Sequence, residues 1–449
     1  MKYLLHLLIK VISPAWNVVA LLGILSFPNV AGATDIQVLN SLSKSINAHL
    51  QLFEGGPGKV FYGSVYEFYQ DQAGMMRLAL LREAALRGNT VNLTVDGHGS
   101  ELSPAMIQYM ESVGVHIRLF SPISILRPIE NFYRNHEKVW TDGETLVVAD
   151  SNEGNGFWGL PSKDRFKGFG IAIKGPAAQK AFEHEKELFS SRYAFPQTNI
   201  NATPKQLSEA EAQIDKAADY LKRLKIISES EWNAGFHNVA DEDIEFIHDP
   251  IHTKGNAIGV DSAVVAMIER AQPGETVFIS APYLVLPKNF MNIIKSQIGR
   301  NVRFEILTNS WKSNDKQWAQ ARYLAERPAL LKMGVKLFEY KGPETLHIKG
   351  GAVYKNDGNE TSLPEGTPIR EVFTGSFQPH MRGAEYDLED IALIKGSNQT
   401  LNHEITEGLR EGLNNSNPIE FDLPEHVNQM IRCWIGALRV LSRPIRPHL

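Results

Sequence analysis

The chain has 449 residues, 43% of them hydrophobic and 22% charged, which is typical of a globular protein long enough for two domains. Its formal net charge of −5 argues against a protein that binds nucleic acid over its whole surface, although a local basic cleft is compatible with that charge. The single cysteine, Cys433, excludes an intramolecular disulfide and a cysteine-rich zinc site.

Residues 1–33 are predicted to be an export signal. Lys2 and Lys10 precede a long uncharged stretch, and the small residues Ala-Gly-Ala at 31–33 form a cleavage pattern. An uncleaved membrane anchor is the alternative, since the 24 uncharged residues 11–34 could just span a bilayer. Cleavage would start the mature chain at Thr34 and leave 44 Lys+Arg against 51 Asp+Glu, a net charge of −7. The expected location is therefore the periplasm, the medium or, with an anchor, a membrane.

The mature chain is predicted to begin with alternating helices and strands. Asp71 can cap the first helix and Gly88 can end it. A strand, a second helix and a second strand follow before a His-x-Lys triplet at His136. The predicted ranges are 71–88 (helix), 90–96 (strand), 103–114 (helix) and 115–120 (strand).

The same order of elements recurs later in the chain and again leads to His-x-Lys, this time at His347. The predicted ranges are 262–283 (helix, then strand), 289–301 (helix), 302–309 (strand), a helix ending at 330–334, and 335–340 (strand). The spacing also matches, because 40 residues separate Asp96 from His136 and 38 separate Asn309 from His347. The pattern predicts an α/β protein with two similar halves and mixed, largely parallel sheets.

A polar helical segment separates these halves. Thr203 can cap a helix and Pro204 can occupy its first turn, so we predict a connecting helix within 201–235. The predicted organisation is a signal or anchor (1–33), a first half (34–200), the connecting helix (201–235), a second half (236–397) and C-terminal helices (398–449).

The paired triplets predict phosphate chemistry. Side chains at i and i+2 of an extended segment share a face, so His136 would lie beside Lys138 and His347 beside Lys349. Two such pairs facing each other would make a positive pocket with two groups that titrate near neutral pH. One imidazole can attack phosphorus, the other can protonate the leaving oxygen, and the lysines can hold the remaining oxygens. This scheme requires no metal or cofactor.

These motifs resemble those of the phospholipase D superfamily, whose members carry H-x-K-x-x-x-x-D and then a Gly-rich stretch ending in Asn. The similarity extends from about residue 58 to the C-terminus. It is greatest with cardiolipin synthase-like members, through "FSPISILRPIENFYRNHEK" and "LLKMGVKLFEYKGPETLHIKG". The resemblance implies two halves packed about a pseudo-twofold axis with the pocket between them. It also implies a phosphohistidine intermediate, usually on the first motif, with the other histidine as general acid.

The resemblance further implies which residues bind phosphate and which orient a histidine. The phosphate-binding set is Lys138, Lys349, Asn152, Ser376 and Gln378. Family members place an acid on a later strand to orient each histidine, and Glu389 fits that place in the second half. We expect it to serve His347.

The first half departs from the family pattern at the acid position, where Gly168 stands. His136 is therefore expected to lack its usual partner, unless Asp142 or Asp150 replaces it. The other outcome would be a reversed order, with His347 as the nucleophile. The first motif also has three residues, not four, before Asp142, and the second has Tyr354 in place of Asp and Gln378 in place of Asn.

The expected partner is an anionic glycerophospholipid at a membrane surface, whose phosphodiester is hydrolysed to phosphatidic acid or transferred to an alcohol, as in cardiolipin synthesis. A nuclease on the same fold is less favoured, because the mature chain is acidic. A non-catalytic phosphate- or membrane-binding protein is the third hypothesis, and Gly168 is its main support. The segment 161–168 could be a lid over the head group or a solvated loop. The oligomeric state is open.

Overall fold

The computed structural model describes residues 33–197, 200–224, 228–251, 259–356, 361–396 and 398–419. The predicted export signal, apart from its last residue, and Cys433 lie outside this part of the chain. Across the described ranges, no helix combines the length and the hydropathy needed to cross a bilayer.

The first half of the molecule, as the structure defines it, runs from residue 33 to residue 240. Its strands are β1 (Ala33–Leu39), β2 (Val60–Val65), β3 (Thr90–Asp96), β4 (Val115–Phe120), β5 (Arg134–Asn135), β6 (Val139–Thr141), β7 (Thr145–Ala149), β8 (Phe166–Lys167), β9 (Gly170–Lys174), β10 (Ala194–Pro196) and β11 (His237–Ala240). Its helices are α1 (Leu42–Phe53), α2 (Gln72–Leu86), α3 (Pro104–Ser112), α4 (Pro176–Ser190), α5 (Pro204–Leu221) and α6 (Glu229–Ala234).

The second half runs from a short 3₁₀ turn, Asp241–Asp243, to the last described strand. Its strands are β12 (Ile244–His248), β13 (Glu275–Ser280), β14 (Arg303–Asn309), β15 (Lys336–Tyr340), β16 (Thr345–Leu346), β17 (Gly350–Lys355), β18 (Ile369–Gly375), β19 (Asp387–Leu388), β20 (Asp390–Lys395) and β21 (Ser416–Pro418). Its helices are α7 (Val260–Glu269), α8 (Lys288–Gly299), α9 (Gln317–Met333), α10 (Met381–Glu385) and α11 (Gln399–Leu413).

Helix starts follow the capping residues that the sequence offers. Asp71 accepts a hydrogen bond from the Gly74 amide at the start of α2, at 3.1 Å. Thr203 and Gln206 form a reciprocal capping box at the start of α5, and Pro204 takes the first turn. These predicted caps are confirmed. The apolar face of α5 joins the core of the first half, where it packs with α2 and α3.

The two large sheets have the same strand order, which confirms the predicted duplication. The first sheet runs β10-β4-β3-β2-β6-β7-β9-β1-β11, and the second runs β21-β15-β14-β13-β17-β18-β20-β12. Each strand of the second sheet thus has a counterpart in the first, which has β11 as an additional edge strand.

Both sheets are mixed, but parallel pairing is less extensive than we predicted. It joins β2, β3 and β4 in the first sheet and β13, β14 and β15 in the second. The strands that follow each His-x-Lys triplet pair in antiparallel fashion instead. Among the described residues, no crossover helix of the kind that parallel neighbours need joins these strands, and β6 and β7 are connected by a short hairpin.

Two small sheets tie the halves together. β5 pairs in parallel with β19, and β16 pairs in parallel with β8. Each pair therefore takes one strand from each half. A central core also crosses between the halves, since it includes Ile36 and Val148 from the first sheet and Phe278 and Val372 from the second. This arrangement fixes the two His-x-Lys triplets relative to each other.

Candidate active site

Each His-x-Lys triplet lies where the chain leaves a two-residue strand and enters a large sheet. His136 and Lys138 lie between β5 and β6, and His347 and Lys349 lie between β16 and β17. The His136 amide continues the β5–β19 ladder by bonding the Leu388 carbonyl at 3.0 Å. The residue after each short strand therefore faces a residue of the opposite half.

This cross-pairing places Glu389 beside His136. The Nδ1 atom of His136 lies 2.9 Å and 3.1 Å from the two carboxylate oxygens of Glu389, which is fully buried. Ser376 donates its hydroxyl hydrogen to the same carboxylate. Our expectation that Glu389 would orient His347, and that His136 would lack a carboxylate partner, is therefore wrong. The acid of the second half serves the histidine of the first, because β19 pairs with β5.

The same symmetry places Gly168 beside His347. The His347 amide bonds the Lys167 carbonyl at 2.9 Å, so Gly168 holds the place that Glu389 holds in the other half. Both ring nitrogens of His347 contact the Lys349 ammonium instead, at 3.0 Å and 3.1 Å. The acid that is missing at Gly168 in the first half is therefore missing beside His347 of the second half, not beside His136.

Asp150 fills the space that Gly168 leaves open. A Cβ atom built on Gly168 would lie 2.5 Å from Oδ1 of Asp150. Asp150 is buried and accepts hydrogen bonds from the Phe169 amide at 2.8 Å and the Ser151 hydroxyl at 3.1 Å. In the other half the matching positions carry Ser376 and Glu389. The carboxylate of this pair therefore lies in the loop after β7, whereas that of the other pair, Glu389, directly follows β19.

The other candidate acid, Asp142, has a structural role. Its carboxylate binds Lys59 at 2.6 Å and caps the turn between β6 and β7 through the Thr145 amide at 2.7 Å. In the second half the hydroxyl of Tyr354 accepts a hydrogen bond from the Leu363 amide at 2.9 Å after the corresponding strand. The departures from the family motif at these positions concern hairpins rather than the two histidines.

The predicted phosphate-binding residues converge on the same region. The Lys138 ammonium bonds the carbonyl of His136 at 2.7 Å. Asn152 donates to the Glu67 carboxylate at 2.8 Å. The side-chain oxygen of Gln378 accepts from the Tyr283 amide at 3.0 Å. Glu67 and Tyr283 thus fix the orientation of the two amide side chains.

A cavity of about 200 Å³ brings the two motifs together, because His136, His347 and Asn152 all line it. Phe166 and Asp164 also line it, which places the 161–168 segment at its wall. Aromatic rings surround the histidines, with Tyr66 4.9 Å from His136 and Phe157 5.1 Å from His347, measured between ring centroids.

Burial dominates the electrostatics of both histidines. It holds the pKa of His136 well below the ordinary value, and the nearby Lys138 and Lys349 lower it further. The pKa of His347 is also well below its ordinary value, because of burial and then Lys349 and Lys138. Both imidazoles are therefore neutral at neutral pH, as a nucleophile must be.

Burial also moves the neighbouring groups toward neutrality. It raises the pKa of Glu389 to about 7, with a further contribution from Asp387. It raises the pKa of Asp150 to about 7 against the opposing effect of Lys349. Burial lowers the pKa of Lys349 itself to about 7, although Asp150 opposes this. An anionic ligand would favour the protonated form of this lysine.

The sequence did not point to Glu67 or Tyr66, which both line the cavity. They lie just after β2, at the carboxyl edge of a strand that has parallel pairing with β3. Ligand sites of α/β proteins concentrate at this edge, so the position after β2 was the available signal.

Comparison with known proteins is consistent with this geometry. Residues 264–411 match the family model described as "Cardiolipin synthase, PLD-like domain". The second half therefore carries a phospholipase D-like domain, and the resemblance to the phospholipase D superfamily is confirmed.

Individual relatives extend the similarity to most of the chain. The chain is 25% identical over 342 residues to cardiolipin synthase C of Escherichia coli (strain K12), which covers 70% of this chain and 71% of that protein. It is 24% identical over 366 residues to an uncharacterized protein of Helicobacter pylori, with coverages of 73% and 70%. The crystal structure of phosphatidylserine synthase from Haemophilus influenzae Rd KW20 superposes with a TM-score of 0.66 at 14% identity, over 94% of this chain and 98% of that one. At this identity the structural match shows the shared double-unit fold.

Proposed function

We propose that this protein cleaves or exchanges the phosphodiester of a glycerophospholipid through a covalent phosphohistidine on His136. The observation that carries the proposal is the Glu389–His136 contact at 2.9 Å beside a cavity that His347 also lines. A buried carboxylate on Nδ1 orients the ring and stabilises the imidazolium that forms when Nε2 bonds to phosphorus. Similarity to cardiolipin synthase C supports a lipid substrate.

We propose the following roles for the other residues. Nε2 of His136 attacks phosphorus and the bond to the leaving alcohol breaks. His347, which takes up a proton when the anionic phosphodiester binds beside it, gives that proton to the leaving oxygen. His347 then removes a proton from the acceptor, which attacks the phosphohistidine and frees His136. Lys138 and Lys349, with Asn152, stabilise the charge on the non-bridging oxygens. Water as acceptor yields phosphatidic acid, and an alcohol yields a new phosphodiester.

Leaving-group chemistry can separate the roles of the two histidines. A phosphatidyl ester of p-nitrophenol has a leaving group that needs no proton. We expect His347→Asn to release a burst of p-nitrophenol and to accumulate a covalent adduct, whereas His136→Asn should give neither. Mass spectrometry after a denaturing quench at alkaline pH, where the phosphorus–nitrogen bond survives, would locate the adduct. His403→Asn, on the partly exposed face of α11, is the matched control.

The natural acceptor is tested with phosphatidylglycerol vesicles without added metal. Mass spectrometry should find phosphatidic acid or cardiolipin, absent in both active-site variants. A folded wild-type protein that gives no adduct and no lipid product would overturn the proposal, and cleavage of DNA in a parallel reaction would favour the nuclease hypothesis.

Export is part of this proposal and has the sequence pattern of residues 1–33 as its support. The intact mass of the protein purified from its native host should correspond to a chain that begins at Thr34. A mass that includes residue 1 would favour the anchored form.

A further inference from the structure

The loop of residues 121–133, between β4 and β5, exposes an unusual group of apolar side chains. Five of the eight large hydrophobic residues that are exposed in the described chain lie in it. Their exposed fractions are 67% for Ile123, 96% for Ile125, 91% for Leu126, 70% for Ile129 and 44% for Phe132. Single exposed apolar residues are normal on protein surfaces, but a contiguous group marks a surface that meets a partner. We call residues 121–133 the apolar loop.

The exposure does not result from a lack of internal structure. The Ser124 amide donates to the side-chain oxygen of Asn131 at 2.8 Å, and Asn131 donates back to the Ser124 carbonyl at 2.9 Å. Arg127 bonds Glu130 across the same turn at 3.2 Å. Polar residues thus hold the loop in shape from within, and the aliphatic side chains between them remain outside.

Cations and aromatic rings surround the base of the apolar loop. The Arg127 guanidinium lies 3.8 Å from the centre of the Phe195 ring. Tyr133 packs against Tyr193, with ring centroids 6.2 Å apart. Arg192, the residue before Tyr193, is exposed and donates a hydrogen bond to the Tyr193 hydroxyl. Arg127 is paired with Glu130, so Arg192 is the exposed cation at this base. Exposed aliphatic side chains next to an arginine are typical of segments that enter the surface of an anionic bilayer.

The apolar loop also lies close to the proposed catalytic residue His136. Phe132 precedes His136 by four residues, and its carbonyl accepts a hydrogen bond from Arg382 at 3.1 Å. The cavity has a volume of about 200 Å³, less than the roughly 300–1,000 Å³ of pockets that enclose a drug-sized ligand. It can hold a phosphate with part of a head group, so the acyl chains of a phospholipid would stay outside.

We propose that the apolar loop inserts into an anionic phospholipid bilayer and holds the cavity at the level of the head groups. This inference rests on the proposed function for the identity of the surface. A substrate lipid could then present its phosphodiester to His136 without leaving the membrane, since only residues 134 and 135 separate the loop from this histidine.

A charge at the tip of the apolar loop should prevent insertion. In the full chain, we expect Leu126→Asp to lower the partition coefficient on phosphatidylglycerol–phosphatidylethanolamine vesicles by about tenfold or more, measured by co-sedimentation. Leu86→Asp makes the same change at an exposed leucine, 63% accessible, at the end of α2, and should leave binding unchanged. Turnover of short-chain, water-soluble phosphatidylglycerol should be the same in both variants.

A probe within the apolar loop tests insertion independently of any other membrane contact. The single native cysteine permits Ile125→Cys in a Cys433→Ser chain, labelled with a polarity-sensitive fluorophore. Vesicles should shift its emission to the blue, whereas the same label at Leu86→Cys should not respond.

Absence of the blue shift, or the same shift at both positions, would overturn the inference. So would a loss of self-association in Leu126→Asp, seen by light scattering, with no change at the bilayer, because the loop would then bind a second copy. If the wild-type protein is inactive but the label at Ile125→Cys still shifts, the proposed function is wrong and the inference of membrane insertion still holds.

Discussion

At the scale of single residues, the contact between His136 and Glu389 predicts how activity depends on pH. Burial raises the pKa of Glu389 to about 7, so its carboxyl group keeps a proton that an ordinary glutamate has already lost. The ionised form, which supports the imidazolium, becomes dominant as the pH rises through about 7. We therefore expect kcat for lipid turnover to rise with pH over this interval.

Replacing Glu389 should remove that dependence. We expect Glu389→Gln to lower kcat by about a hundredfold or more and to abolish its rise near pH 7, since the amide cannot stabilise the imidazolium. Glu407→Gln, at a half-exposed glutamate of α11, should leave the profile unchanged. A profile in Glu389→Gln that keeps the wild-type rise would assign it to another group, such as Asp150.

A second prediction at the scale of residues concerns Asp150 and Gly168. Gly168→Glu alone should be strongly inactivating, because the new side chain would meet the Asp150 carboxylate at its first carbon atom. The double variant Asp150→Ser with Gly168→Glu reproduces the Ser376–Glu389 arrangement of the other half. We expect it to retain more activity than either single variant.

The double-mutant cycle on kcat and on the free energy of unfolding measures this coupling. Strictly additive effects would show that the two positions do not share one space. Ser376→Ala is a useful companion, since it removes the hydroxyl that contacts Glu389 without adding bulk.

The sequence was sufficient to predict His136, His347, their lysines and Asn152 as neighbours, because the motifs repeat at matched positions. It was not sufficient to assign Glu389 to a histidine. Separation along the chain favoured His347, which is 42 residues away, over His136, which is 253 away. The correct partner depends on which short strands pair across the halves, and no local pattern encodes that pairing.

At the scale of elements, the long helices and strands could be predicted and the shortest strands could not. The strand at 90–96 was predicted with its observed bounds, and α2 begins directly after its predicted cap, Asp71. β5, β8, β16 and β19 contain two residues each. Two residues carry no hydrophobic periodicity, so such strands form only where tertiary contacts bring their partners together.

The end of β18 offers a test at this scale. Gly375 has φ = 155°, and a Cβ atom there would lie 2.3 Å from the Asp390 carbonyl oxygen. Gly375→Ala should therefore lower the free energy of unfolding by at least about 1–3 kcal/mol, from backbone strain and the overlap. It should also displace Ser376, and with it the contact to Glu389.

Urea unfolding and the lipid assay would measure both effects. Gly299→Ala, at the end of α8, meets no atom within 4 Å and should be neutral or stabilising by up to about 1 kcal/mol. Equal stability of the two variants would contradict the close approach of β18 and β20.

At the scale of the whole molecule, the shared central core predicts that the halves unfold together. Phe278 and Val372 of the second half belong to the same buried cluster as Ile36 and Val148 of the first. Exposing this cluster in one half would expose it in the other. We expect fluorescence and far-ultraviolet circular dichroism to report one transition with the same midpoint in urea.

Phe278→Ala should move that single midpoint by an amount equivalent to about 3–5 kcal/mol without splitting the transition. Two separated midpoints, in the wild type or in this variant, would show that the halves are independent folding units.

The pairing of short strands between the halves, β5 with β19 and β16 with β8, also constrains how the two copies can diverge. His136 takes its carboxylate from the other copy, and the matching position beside His347, Gly168, also belongs to the other copy. One copy alone would therefore contain a histidine without the position that can supply its carboxylate. In the fused chain, a substitution at residue 150 or 168, near His347, can be compensated within that pair. Residues 376 and 389, near His136, can then stay unchanged. Among related sequences, residues 150 and 168 should therefore change together, and so should 376 and 389, while the two pairs vary independently.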